Sequence, residues 1–521
     1  MILGVAILVC SAFARHYRIA PPVILLACGA LLGFVPALRQ VQLPPEVVLL
    51  LFLPALLYWE SLTTSLREIR SNLRVIVLIS TVLVIATAWA VAAVGHALGL
   101  GWGPAWVLGA AVAPTDATAV GVLARALPRR SLTLLRAESL VNDGTALVIY
   151  ALAIGLTRGQ EHLAPLHVLG LLVLAYGGGA VAGVVTAFLA IQVRERLADP
   201  LLANVAIVVT PFVAFLLAEA VHASGVLAVV VCGLIMSQAG PRVSRAETRQ
   251  QTNGFWTLAS FLLNGALFVL VGLELQPAIR NLSSSALARG LVAVAAVAGA
   301  VIATRFAWMF TTPYVIRALD RRPQQRLRRL GARPRTVNAV AGFRGAVSLA
   351  AALAVPHTVS SGAPFPDRNL IIFVTAGVIV VTLVLQGLLL PSVIRWARLP
   401  RDTSAQQERH LAETVATEEA LADIPRLASA LGTDPDVSDR LSREYSKHLR
   451  LLHAGDTGAD DEPALRYDQQ YTALRLAVLA RKRSVVLRLR DERRIDDAVL
   501  RQVQDRLDIE EVRLTGRQVI E

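Results

Sequence analysis

The sequence predicts an all-α polytopic membrane protein with a soluble helical domain at its C-terminal end, and three observations predict it. Of 521 residues, 55 % are hydrophobic and only 17 % are charged, a balance that a water-soluble chain of this length does not reach. Apolar runs able to cross about 30 Å of hydrocarbon recur from the first residue to about Trp396, so one cleaved signal peptide does not account for them. Beyond about Pro400 the chain turns to dense charge of both signs without a span-length apolar run.

In chain order, about thirteen spans fall at roughly 1–14, 19–36, 44–62, 74–98, 103–124, 134–156, 166–192, 200–220, 223–239, 254–275, 286–313, 335–356 and 370–396. The fifth contains "AAVAPTDATAVGV", where Pro114 removes a backbone donor and Thr115, Asp116 and Thr118 compete for backbone hydrogen bonds, which predicts a break at membrane depth. The sixth carries "AESLVNDGTALVIYALAIG", with polar residues in its first turns. In the seventh, Gly177–Gly179 suits close helix packing. The twelfth contains "NAVAGFRGAVSLAAAL", where Gly342 and Gly345 flank Arg344 and weaken the helix. The two broken spans lie seven apart, and an odd shift reverses direction, so spans one to six and eight to thirteen read as inverted repeats joined by the seventh. Broken helices crossing at the midplane are the pattern of secondary transporters.

Arginines alternate between the loops. Arg15 and Arg18; Arg67 and Arg70; Arg125, Arg129 and Arg130; Arg194 and Arg196; Arg242, Arg245 and Arg249; and the cluster from Arg317 to Arg335 all fall on odd-numbered connections. The even ones hold little beyond Arg39, Arg158, Arg280 and Arg368. By the positive-inside rule the N-terminus is outside and the C-terminus cytoplasmic. The net charge of +13 therefore reads as topology; no basic face interleaved with aromatics points to nucleic acid. Cys10, Cys28 and Cys232 lie inside spans without ligand spacing and read as small core residues. The expected organisation is a transmembrane domain over 1–400 and a cytoplasmic helical domain over 401–521, regulatory, dimerising or simply solvated. Its "YTALRLAVLARKRSVVLRLRDERR" stretch has amphipathic spacing, and "HAGDTGADDEP" at 453–463 reads as a loop.

Ionisable groups at membrane depth are costly and mark function unless paired. The acids in or near the hydrocarbon are Glu60, Asp116, Glu138, Asp143, Glu219 and Glu274, and Arg305 and Arg344 accompany them. Ser139 and Asp143, four apart, share one helix face, while Glu138 and Asn142 share the face about 100° round. One helix thus presents two polar stripes. Glu219 and His222 read as hydrogen-bonding groups, a funnel or a pH sensor. Asn264 is a weaker candidate, Glu274 reads as snorkelling to the interface, and Arg305 requires an acid that the sequence does not name.

In order along the chain, "FLPALLYWESL", "APTDAT", "AESLVNDGTALV", "AEAVHASGVLAVVVCGLIM", "LFVLVGLEL", "RFAWMF" and "GFRGAVSLAAAL" resemble the monovalent cation:proton antiporters that include bacterial and animal sodium/proton exchangers. The resemblance covers essentially the whole membrane part. It implies that Asp143 of the Asn142–Asp143 pair binds the ion, that Ser139, Glu60 and the Thr115 backbone add oxygens, and that Asp116 lies near the crossing. It also implies a structural ion pair between Glu138 and Arg344, and a homodimer in the bacterial plasma membrane. One departure is that Ala117 follows Asp116 where the family usually has proline, and Pro114 precedes it.

The chemistry of the residues agrees. A hard monovalent cation takes carboxylate, hydroxyl and carbonyl oxygens, which Asp143, Glu60, Ser139 and a freed carbonyl can supply. A carboxylate withdrawn from water is stabilised when a proton or a cation neutralises it, so competition for Asp143 suffices for Na⁺ (or Li⁺) to exchange with H⁺, with no cofactor. Potassium is the alternative cation, since spacing does not reveal cavity size. A channel would also use intramembrane acids but would not require proton and cation to exclude one another. An intramembrane enzyme lacks support: the spans contain neither HExxH nor GxSxG.

Overall fold

Without water to solvate it, backbone in a bilayer must satisfy its hydrogen bonds within the segment, and the apolar runs here coil into helices. The computed structural model describes residues 2–17, 20–35, 48–116, 127–159, 170, 173–197, 199–243, 245–280, 284–319, 331–399, 402–456, 463–494 and 496–515. In chain order the membrane part comprises α1 (Ile2–Tyr17), α2 (Pro21–Leu32), α3 (Leu53–Thr63), α4 (Leu66–Val77), α5 (Val84–Ala97), α6 (Trp102–Val112), α7 (Arg129–Arg158), α8 (Gly179–Arg196), α9 (Pro200–Ala220), α10 (Gly225–Val243), α11 (Ala246–Arg280), α12 (Ser284–Leu319), α13 (Ala332–Val340), α14 (Ala346–Leu353) and α15 (Arg368–Ala397). Wider π-helical turns, Val48–Phe52, Leu78–Leu83 and Leu174–Gly178, lead into α3, α5 and α8. Among the described residues, seven helical stretches are long and apolar enough to cross a membrane, and five shorter apolar helices accompany them.

The short helices arise where the sequence breaks them. In the fifth expected span, α6 stops at Val112 and Ala113–Asp116 are non-helical, because Pro114 has no N–H with which to continue the ladder. The rest of that span, from Ala117 onward, lies outside the described residues. The twelfth span is split into α13 and α14 by non-helical Ala341–Gly345. The glycines here do more than weaken a helix. A Cβ at Gly342 would overlap the Arg305 side chain, and one at Gly345 would overlap the Asp116 carboxylate. The two breaks meet through backbone, the Asp116 N–H donating to the Phe343 carbonyl at 2.9 Å.

Helices gain no hydrophobic advantage from associating in lipid and rely on close approach of small residues. At Gly29 of α2 a Cβ would collide with the Val269 backbone of α11, and at Gly272 one would collide with the Leu26 carbonyl, so these two helices cross backbone to backbone. Gly109 fits α6 against the Ala88 carbonyl of α5 in the same way. In the Gly177–Gly179 run, Gly178 packs on Ala223 and Gly179 on the Ser224 carbonyl, whereas Gly177 has nothing within 4 Å, so only two of these glycines serve close packing. Cys10 and Cys232 are buried and Cys28 half-buried, all as free thiols. One core cluster gathers Leu25, Val269, Val340, Phe343 and Leu383 around the second break. Val181, Val184 and Phe188 of α8 and Leu201, Val205 and Val209 of α9 face outward, as lipid-facing columns do.

The chain divides into two compact units, Met1–Arg401 and Asp402–Glu521. The second contains α16 (Ser404–Leu431), α17 (Pro435–Asp456), α18 (Pro463–Asp491) and α19 (Asp497–Thr515). A small core of Leu479, Leu507 and Leu514 joins α18 to α19. Arg475 reaches Glu510 at 3.0 Å, and Arg483 pairs with Asp508 and Glu511; such exposed pairs contribute little individually. Of the loop expected at 453–463, His453–Asp456 form the end of α17 and Pro463 begins α18. Residues 457–462 lie outside the described residues.

Candidate ion-binding site

Beside the two breaks lies a cavity of about 50 Å³, lined by Glu60 of α3, Thr115 and Asp116 of the first break, Ser139 and Asp143 of α7, Asn264 of α11 and Ser348 of α14. That is room for a small cation with a water or two. Ser139 and Asp143, one turn apart on the same stripe of α7, both reach it, and they are 5 % and 4 % exposed. Glu60 and Asp116 are half-buried. The end of α3 beyond Glu60 is tied down by the Thr64 hydroxyl, which donates to the Glu60 carbonyl at 2.6 Å.

The other stripe of α7 faces away from the cavity and builds the frame. Glu138 is 3 % exposed and Arg305 of α12 is 2 % exposed. The guanidinium grips the carboxylate with two nitrogens, Nη1 on Oε1 and Nη2 on Oε2, the latter at 3.1 Å. Arg305 also donates Nε and Nη2 to the Asn338 carbonyl of α13, at 3.2 and 3.1 Å. The Thr115 hydroxyl donates to Glu138 Oε1 at 3.2 Å and accepts from Asn142 Nδ2 at 2.6 Å. A bidentate charged pair of this kind is strong and orienting.

The structure corrects the expected pair of Glu138 with Arg344. Both oxygens of Glu138 are taken by Arg305, which α12 brings alongside and Gly342 admits. Arg344, 1 % exposed, donates Nη1 to the Ala113 carbonyl at the C-terminal end of α6, where a helix presents unsatisfied carbonyls and partial negative charge. Asn142, expected among the ion ligands, does not line the cavity; it holds Thr115 in place.

Two participants escaped sequence reasoning. Arg305 announced its need for an acid, but spacing along the chain did not say which helix would carry it. Ser348 sits in a stretch noted only for its glycines, and nothing there marked it as lining the cavity. Among the weaker candidates, Asn264 does line it. Glu219, in the last turn of α9, and His222, in the turn after it, are exposed, and the His222 N–H donates to the Glu219 carbonyl at 3.0 Å. Glu274 is half-buried and lies six residues before the end of α11 rather than at it.

Two breaks at membrane depth that meet beside a cluster of acids, within a bundle of membrane-length helices, fit a secondary ion transporter rather than an enzyme. The chain belongs to the transmembrane sodium/hydrogen exchanger family, whose pattern matches residues 4–396. It is 48 % identical over 512 residues to an uncharacterised Na⁺/H⁺ exchanger of Mycobacterium tuberculosis, covering 98 % of this chain and 94 % of that one. A sodium, potassium, lithium and rubidium/H⁺ antiporter of Bacillus subtilis is 30 % identical over 393 residues, 71 % of this chain and 57 % of that one. The sodium proton antiporter MjNhaP1 of Methanocaldococcus jannaschii shares the fold, with a TM-score of 0.59 at 19 % identity, over 75 % of this chain and 97 % of that chain.

The frame is testable by a double-mutant cycle. Glu138→Gln or Arg305→Leu alone strands one charge at depth and should lower stability by about 3–5 kcal/mol. The double variant should recover much of that loss, measured as thermal melting in detergent. Additive losses would show that the two do not act as a pair, and coupling of Glu138 to Arg344 should be the smaller of the two.

Proposed function

We propose that the chain exchanges Na⁺ or Li⁺ for H⁺, one for one, by alternating access, and that Asp143 is the carboxylate for which cation and proton compete. The observation that carries this reading is the sorting of charge on α7: Asp143 and Ser139 face a cavity shared with Glu60, Asp116 and Thr115, while Glu138 is committed to Arg305. In the proposal Asp143, Glu60, Ser139 and the Thr115 backbone supply oxygens, Asp116 adds charge at the crossing, and Asn142 keeps Thr115 in register. An empty site with an ionised Asp143 is too costly to carry across low-dielectric surroundings. Only a loaded site moves, so one ion must be exchanged for the other.

Sodium is the first reading because the lining offers hard carboxylate and hydroxyl oxygens. The breadth of cations in the name of the Bacillus subtilis relative keeps potassium as the second reading. The family and its bacterial relatives support a bacterial plasma membrane, the arginine pattern of the loops supports an N-terminus outside and a C-terminus inside, and membrane lipid is then the surrounding partner. In the cell the exchange would serve sodium and pH homeostasis, by a homodimer, with residues 401–521 as a cytoplasmic regulatory domain.

In proteoliposomes containing a pH dye, Asp143→Asn should abolish cation-dependent proton movement while the purified protein melts like wild type; transport by that variant would sink the mechanism. Competition also sets the pH dependence. In the range where protons occupy most sites, each unit fall in pH should raise the apparent cation KM about tenfold by mass action, while maximal rate stays comparatively flat. A KM insensitive to pH there would require a separate proton carrier, with Glu60 or Asp116 the first to test.

Stoichiometry follows from Asn142, which cannot titrate, and from Glu138, which Arg305 neutralises. With one neutralising ion per half-cycle, no net charge crosses. An electrogenic cycle would feel about 2.3 kcal/mol per charge at 100 mV. Sodium-driven exchange with the potential clamped by potassium and valinomycin should therefore be indifferent to voltage, and a rate or end-point that follows the imposed potential would overturn one-for-one exchange.

A further inference from the structure

Hydroxyls inside a helical span normally donate to the carbonyl four residues back, and this protein follows the rule repeatedly: Ser61 to Leu57 at 2.7 Å, Ser80 to Ile76 at 2.6 Å, Thr87 to Leu83 at 2.7 Å and Thr382 to Val378 at 2.8 Å. Ser348 does not. It is 1 % exposed, and its Oγ has no hydrogen-bond partner among the described residues. The reason is the second break: the residue four back is Arg344, which lies in the non-helical stretch before α14. A buried hydroxyl without a partner costs about 1–3 kcal/mol. Ser11 and Thr375 also have such hydroxyls, but neither lines the acid cavity. Ser348 does, and Gly345, three residues earlier and on the same face of the chain, packs directly on the Asp116 carboxylate.

We infer that Ser348 is a cation ligand and a determinant of cation selectivity, its hydroxyl oxygen completing the oxygen set from the half of the protein opposite to α7. This rests on the exchange mechanism proposed for Asp143 and adds to it a neutral ligand. A neutral oxygen strengthens cation binding without offering a carboxylate to the competing proton. It also joins the cation to both broken spans, since Thr115 and Asp116 come from one and Ser348 from the other.

The test uses the full-length protein in proteoliposomes in nitrate medium, with Na⁺ and Tl⁺ as transported cations. Ser348→Ala should raise the Na⁺ KM about three- to tenfold, the worth of one modest hydrogen-bond-like contact, with maximal rate within about twofold. Ser348→Cys, nearly isosteric, replaces a hard oxygen by a soft sulfur, so the Tl⁺ KM should fall relative to the Na⁺ KM. A packing role for Ser348 would move both cations together. A wild-type Na⁺ KM in Ser348→Ala, or an unchanged Tl⁺ to Na⁺ ratio in Ser348→Cys, would overturn the inference. If Asp143→Asn in the same vesicles is inactive, such a result removes Ser348 alone; if Asp143→Asn still transports, the mechanism and this inference fall together.

Discussion

The grip of Arg305 on Glu138 is the interaction on which the arrangement of the membrane part depends. It joins α7 to α12 and, through the Asn338 carbonyl, to α13. Through the Thr115 hydroxyl it fixes the first break, and Asn142 closes that circuit back onto α7. Broken backbone at membrane depth is tolerable only when its freed groups find partners. Here a charged pair, itself satisfied on all sides, provides part of that company. A full set of hydrogen bonds is also what makes burial of the pair tolerable, because a charge left unpaired in such surroundings is far more expensive than a pair.

With the frame neutral in itself, the proposed exchange is left to Asp143 and the acids that share its cavity. Two stripes a single residue out of phase along α7 separate two carboxylates, so a helix of thirty residues carries one held by Arg305 and one facing the cavity, the latter the proposed exchange group. The glycines of the second break serve the same division, one admitting the Arg305 guanidinium and the other the Asp116 carboxylate. Substitution at either would therefore disturb charge placement before it disturbed helix propensity.

What the sequence made legible was what helical periodicity and bilayer length govern. The two stripes of α7, the breaks at Pro114 and at Gly342–Gly345, and the change of character near Pro400 all follow from local rules; that Glu60, Thr115, Asp116, Ser139 and Asp143 share one cavity was implied by the family resemblance alone. Pairings between distant helices were not legible. Glu138 and Arg305 are separated by 167 positions, and the resemblance assigned Glu138 to Arg344, which the folded chain places against a helix end instead. The silence about Ser348 has a different origin: a serine in an alanine-rich helix is unremarkable until its usual acceptor has been unwound.

Arg344 has a consequence for speed. By occupying the carbonyl end of α6, it places a positive charge where the half-helix would otherwise add its own negative pole to the pull of three nearby acids. A site with every one of those attractions would hold a cation firmly and release it slowly. Each 1.4 kcal/mol of well depth lengthens the residence time about tenfold. In the proposed cycle the arginine would make the well shallower without removing a ligand, and a bound ion would leave more readily on the far side.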